Sequence, residues 1–131
     1  MVAGIGATLA VYSQTLAFAW DEGFHLLAAR LINAGRTPYI DFCFPQTPLN
    51  AWWNAAWMRV FGESWRTAHT VAAALTVAAV LLAAQYVLSR LPAGRWRVAG
   101  AAAAALLIGL NGAVFEFGAI GQAYAMSLPA S

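Results

Sequence analysis

Residues 67–89 read Thr-Ala-His-Thr-Val-Ala-Ala-Ala-Leu-Thr-Val-Ala-Ala-Val-Leu-Leu-Ala-Ala-Gln-Tyr-Val-Leu-Ser, a run of 23 residues without Asp, Glu, Lys or Arg. Arg66 and Arg90 bound it. A membrane-crossing helix needs about 20 mostly apolar residues, so the run is long enough to cross. Its state there is a helix, because hydrocarbon offers no outside partner for a backbone amide. Two more uncharged runs flank it: residues 2–20, closed by Asp21, and residues 98–115, between Arg97 and Glu116. Period-two alternation, the mark of barrel strands, is absent from all three. The expected fold is therefore an all-α membrane protein with about three transmembrane helices, at 2–20, 67–89 and 98–115. A loop of residues 21–66 joins the first two. Residues 119–128 read as the first turns of a fourth apolar helix, which makes residues 1–131 the N-terminal membrane segment of a larger domain.

Composition agrees with lipid as the solvent. The chain has 131 residues, 62% hydrophobic and 9% charged. Soluble domains average roughly 25% charged, enough to cover a surface that faces water. The net charge of +2 rests on Arg alone and is scattered, which argues against a nucleic-acid partner. Cys43 stands alone, so no internal disulfide framework exists. The first run has a rival reading: Ala17-Phe18-Ala19 resembles a signal-peptidase site, but no Lys or Arg precedes it and the apolar stretch is long.

Charge density sets the expected topology. The short link, residues 90–97, carries Arg90, Arg95 and Arg97. The long loop carries four Arg over a far greater length, together with four of the five acids. The positive-inside rule then puts the short link in the cytoplasm and loop 21–66 outside.

That loop has internal order. Phe24, Leu27, Ala28 and Leu31 recur at helical spacing, with His25, Arg30 and Asn33 off the stripe, which predicts an amphipathic helix ended by Gly35. Residues 39–46 read as extended backbone between prolines. Thr47 is placed to cap a second helix with Pro48 at its first position. Its expected apolar stripe is Leu49, Trp52, Trp53, Ala56, Trp57 and Val60, with Asn50, Asn54 and Arg59 opposite and Gly62 as the stop. Tryptophans on one stripe suit the headgroup boundary, so both helices are expected at the interface.

The residues able to do chemistry cluster in this loop. Asp21 and Glu22 stand where the first run meets water, a place where a carboxylate needs a partner or a task. Asp21 and His25, four apart, share a helical face. Asp41, among aromatics, either binds a polar ligand or cation or closes a local turn. Arg30 and Arg36 carry the fork geometry that suits phosphate. Glu116, between Phe115 and Phe117, faces a wet crevice or marks an interface. His25 and His69 lack zinc spacing and read as satisfied structural histidines.

In order, the chain shows Asp21-Glu22-Gly23, then Ala29-Arg30, Gly35-Arg36-Thr37-Pro38-Tyr39-Ile40-Asp41-Phe42, Pro45-Gln46-Thr47-Pro48-Leu49 and Phe61-Gly62-Glu63-Ser64-Trp65-Arg66-Thr67-Ala68. This series resembles the N-terminal part of GT-C glycosyltransferases, nearest the protein-mannosyltransferase and aminoarabinose-transferase-like group. The resemblance implies a polytopic enzyme of a bacterial inner (plasma) membrane. Such an enzyme takes a sugar from a lipid-linked, polyprenyl-phosphate donor and passes it to an acceptor at the outer face. It implies Asp21 as catalytic base, Glu22 as its assistant, Asp41 as a second acid, and Glu116 as a loose match to acids after the third span. Some relatives use a divalent cation and others do not, so the metal stays open. Family members are much longer, and the chain alone is expected not to turn over substrate.

Overall fold

The computed structural model describes residues 1–15, 21–122 and 124–128. Among them the regular structure is helical: α1 Val2–Thr15, α2 Glu22–Asn33, α3 Leu49–Phe61, α4 Trp65–Arg90, α5 Arg95–Gly109, α6 Gly112–Phe117 and the single turn α7 Tyr124–Ser127. An all-helical fold is what the uncharged runs dictate.

Of the described helices, α4 is the one long and apolar enough to cross a membrane. Its 26 residues rise about 39 Å at 1.5 Å each. Ser64 starts it by accepting a hydrogen bond from the Arg66 amide. Only 28% of its apolar window is buried, so most of its apolar surface faces outward rather than into a core.

The other two runs depart from expectation. Helix α1 covers residues 2–15; the rest of the run, residues 16–20 with the Ala17-Phe18-Ala19 site, lies outside the described residues. The run 98–115 is broken: α5 stops at Gly109, and the Asn111 side chain accepts from the Ala113 and Val114 amides to start α6. Asn offers the backbone a partner outside the helical ladder, and its side chain wins here, with Gly112 next and Gly109 just before. The expected fourth helix does not start at residue 119. Residues 118–122 form a buried non-helical segment before α7.

Helix α4 packs against both α1 and α5, each running antiparallel to it, and small residues set their approach. Gly6 faces Val77, and a Cβ at Gly109 would lie 2.8 Å from Ile5 Cγ2. Helix α2 ends in a Schellman motif: the Gly35 amide donates to Ile32 and the Arg36 amide to Leu31, with Gly35 at φ +82°. Helix α3 begins at Leu49 with Pro48, not Thr47, at the cap position, and stops at Gly62 with φ +102°. Residues 37–42 are a tight turn rather than extended backbone: the Asp41 amide donates to the Thr37 carbonyl and the Tyr39 amide to that of Phe42.

Of the loop helices' expected apolar stripes, α3 buries no residue and α2 only Ala28. On α2 the buried positions are Glu22, His25, Leu26, Ala28, Ala29 and Ile32, while Phe24 and Leu27 are exposed. On α3 they are Asn50, Ala51, Asn54, Ala55 and Met58; Leu49, Trp52 and Val60 are exposed. Leu26, Ala28, Ala29 and Ile32 of α2 and Ala51, Ala55 and Met58 of α3 meet Phe44 and Ala68 inside, with Glu22, His25, Asn50 and Asn54 buried beside them. A second cluster joins Ile5 and Leu9 of α1 to Ala73 of α4.

Candidate functional site

Between those two clusters lies a layer of buried polar groups. Glu22, in the first turn of α2, has a side chain with no exposed surface, and its acidic charge suits the positive end of the helix. Its Oε1 lies 2.6 Å from His69 Nε2 and accepts from the Gly121 amide at 2.6 Å. His69, one turn into α4 and equally enclosed, has Nδ1 2.6 Å from the Ser13 carbonyl oxygen. Three elements separated by up to 99 residues in sequence are joined at one carboxylate oxygen.

Gly121 carries the other half of the layer. Its carbonyl accepts from Asn50 Nδ2 at 2.9 Å and from Asn54 Nδ2 at 2.8 Å. Asn50 and Asn54 are four apart on α3 and so reach one point together. Gln122, with its amide oxygen toward the donors, accepts from the Asp21 and Glu22 amides at 3.2 and 3.1 Å. Those amides belong to the first turn of α2, which has no partner within its own helix. Further along, Thr76 Oγ1 donates to the Gly118 carbonyl at 2.6 Å. Segment 118–122 is therefore a buried, irregular stretch of backbone held by side chains from α2, α3 and α4. Only glycine fits at 121, since a Cβ there would sit 2.9 Å from Glu22 Oε1 and 3.0 Å from Ala68 Cβ.

His25 extends the layer. Asn50 Nδ2 also lies 3.1 Å from His25 Nδ1. An amide nitrogen only donates, so Nδ1 accepts and the ring hydrogen sits on Nε2. Burial lowers the His25 pKa, outweighing the hydrogen bond to Gln46 and the charges of Asp21 and Glu22, which raise it. The ring packs edge-on against Phe44.

The residues expected to act are only partly gathered. Asp21 is exposed and makes no side-chain capping bond, whereas its neighbour Glu22 is sealed inside. The two acids are separated by a helical step that turns one out and the other in. Arg30 forms an exposed ion pair with Glu63, Nε to Oε2 3.5 Å. Arg36 is exposed beyond α2, and Glu116 is exposed on α6. Asp41 closes its own turn, Oδ2 accepting from the Thr37 amide at 2.7 Å. That is the turn-closing alternative, and the carboxylate stays on the surface. Among the described residues no group of three or more His, Cys, Asp or Glu is placed to hold a metal ion.

Sequence reasoning took His69 for a satisfied structural histidine, and both its ring nitrogens have partners; it missed the layer's members Ser13, Asn50, Asn54, Gly121 and Gln122. Two signals pointed to it, the Asn50/Asn54 spacing and a histidine inside an uncharged run. The crevice beside the layer, lined by Asn50, Asn54, Ala68, Gly121 and Gln122 among others, measures about 10 Å³. That is room for roughly one water, while ligand pockets run to about 300 Å³ or more. The layer itself thus has no room for a ligand larger than water. Compared with protein-family models, curated proteins and solved structures, the chain finds no match.

Proposed function

We propose that this chain forms the N-terminal membrane segment of a glycosyltransferase that moves a sugar from a polyprenyl-phosphate carrier to an acceptor hydroxyl at the outer membrane face, with Asp21 as general base. The observation that carries the proposal is the division of labour between Asp21 and Glu22. One carboxylate is open to solvent; the next residue is locked into the buried layer and fixes the turn that presents it.

The reading includes three crossings, by the run that contains α1, by α4, and by α5 with α6. The distribution of side chains supports a lipid surround. Glu22, His25, Asn50, Asn54, His69 and Thr76 are buried, while Phe24, Leu27, Trp52, Leu81, Leu82 and Leu107 are exposed. In water that arrangement is costly. In hydrocarbon apolar groups gain nothing by turning inward, and polar groups must find partners inside.

The chemistry asked of the loop is modest. The acceptor oxygen attacks the anomeric carbon, the bond from that carbon to the phosphate oxygen breaks, and polyprenyl phosphate leaves with the electron pair. The hydroxyl proton passes to Asp21, and a single displacement inverts the anomeric centre. Charge developing on the phosphate calls for cations, and of Arg30 and Arg36 the second is exposed while the first is paired with Glu63.

The test is transfer of labelled sugar from a polyprenyl-phosphate donor by the complete membrane protein. Asp21→Asn should lower turnover about 10²-fold or more, the worth of a general base, without lowering thermal stability. Turnover indifferent to Asp21→Asn overturns the proposal. It would favour a noncatalytic membrane subunit, a reading supported by the full engagement of Glu22 in packing.

A further inference from the structure

The Glu22–His69 contact fixes a proton count. The Ser13 carbonyl oxygen can only accept, so the Nδ1 that faces it at 2.6 Å carries a hydrogen. One proton then lies between His69 Nε2 and Glu22 Oε1. The same Oε1 accepts a second, short bond from the Gly121 amide, and two donors converging on one oxygen favour a carboxylate over a carboxylic acid. We propose that His69 is an imidazolium held by Glu22 as a fully buried ion pair, and that this pair fastens segment 118–122 to the first turn of α2, making His69 a positioning residue for Asp21.

Each part of that statement has a physical reason. A carboxylate with no exposed surface needs a counter-charge, and His69 stands within reach to supply one. Neutral imidazole has one hydrogen and cannot donate both to Ser13 and to Glu22; imidazolium can. With the charge of Glu22 cancelled, Asp21 is relieved of an adjacent uncompensated carboxylate. The Gly121 amide is then drawn to Glu22, and the Gln122 side chain follows it onto the Asp21 and Glu22 amides. The positioning role rests on the reading of Asp21 as the base; the ion pair does not.

The two histidines make the test direct. Nitrogen NMR of the ¹⁵N-histidine-labelled chain in micelles at neutral pH should show two different rings. His69 should have both nitrogens protonated, while His25 should have a bare Nδ1 that accepts from Asn50. Assignment comes from His25→Gln, which removes the second pattern alone. Two neutral rings, each with one bare nitrogen, overturn the ion pair.

A double-mutant cycle guards against variants that merely unfold. Glu22→Gln strands a hydrogen or a charge inside and should lower the midpoint of thermal unfolding. The double variant Glu22→Gln, His69→Gln is uncharged, and its amides can donate one to the other, so it should regain part of that loss. Strictly additive losses overturn the pair. For the positioning role, His69→Gln in the complete protein should lower the turnover number while Asp21→Asn adds little further loss. If Asp21→Asn alone is silent while the NMR pattern holds, the function is wrong and the ion pair stands.

Discussion

Gly121→Ala is the most informative single change to the buried layer. A methyl group there would meet Glu22 Oε1 at 2.9 Å, Ala68 Cβ at 3.0 Å and Leu26 Cδ2 at 3.4 Å. The first of these is too close to persist, and neither α2 nor α4 can yield alone, because Glu22 and His69 tie them together. The segment must shift, so the Gly121 amide leaves Glu22 or its carbonyl leaves Asn50 and Asn54. Overpacking a filled site costs about 1–3 kcal/mol. A buried group left without its hydrogen bond costs about 1–3 kcal/mol more. The expected loss is therefore roughly 2–6 kcal/mol, read by reversible unfolding in micelles against the parent chain. Gly4→Ala is the control. Nothing lies within 4 Å of its added carbon, and helical Gly→Ala gains up to about 1 kcal/mol. A Gly121→Ala chain as stable as the parent would refute the layer as drawn.

Two further outcomes follow from the loop. Because burial lowers the His25 pKa, the folded chain binds fewer protons than the unfolded chain just below the ordinary histidine value of about 6.5. Its stability contribution is complete above that pH and is lost as pH falls from about 6.5 through the folded value. Unfolding midpoints measured from pH 8 to 5 should show this slope, and His25→Gln should flatten it. Cys43, exposed and the sole cysteine, should react with a membrane-impermeant maleimide added to right-side-out vesicles. Reaction only after permeabilisation would put loop 21–66 on the inner face.

The sequence makes the helices legible but not which way they face. Gaps between charges located α1 and α4, and Gly35 and Gly62 marked the ends of α2 and α3 because no other residue takes a positive φ as cheaply. Helical periodicity separates two faces and leaves open which one turns inward. The usual rule sends the apolar stripe to the core, and it holds only when the outside is water. On α2 and α3 the outward face is the one bearing Phe24, Leu27 and Trp52, and Asn50, Asn54 and Glu22 go inside where their hydrogen bonds can be completed. Asp21 and Glu22 differ only by one helical step, so no local signal could tell the exposed acid from the buried one. Gly121 was invisible for another reason: its role depends on partners 53 to 99 residues away, and nothing in its neighbourhood announces them. The break at Asn111 was open to view, since Asn followed by Gly112, with Gly109 just before, is a poor helix interior.

The central claim is that the buried polar layer finds its partners inside while the exposed apolar side chains face lipid. The direct measurement is fluorescence quenching of Trp52, half-exposed on the outer face of α3, with the other tryptophans replaced by Phe and the chain in liposomes. Quenching by lipids brominated along the acyl chain, with weak quenching by aqueous acrylamide, is the predicted result. Strong acrylamide quenching and indifference to brominated lipid would contradict it.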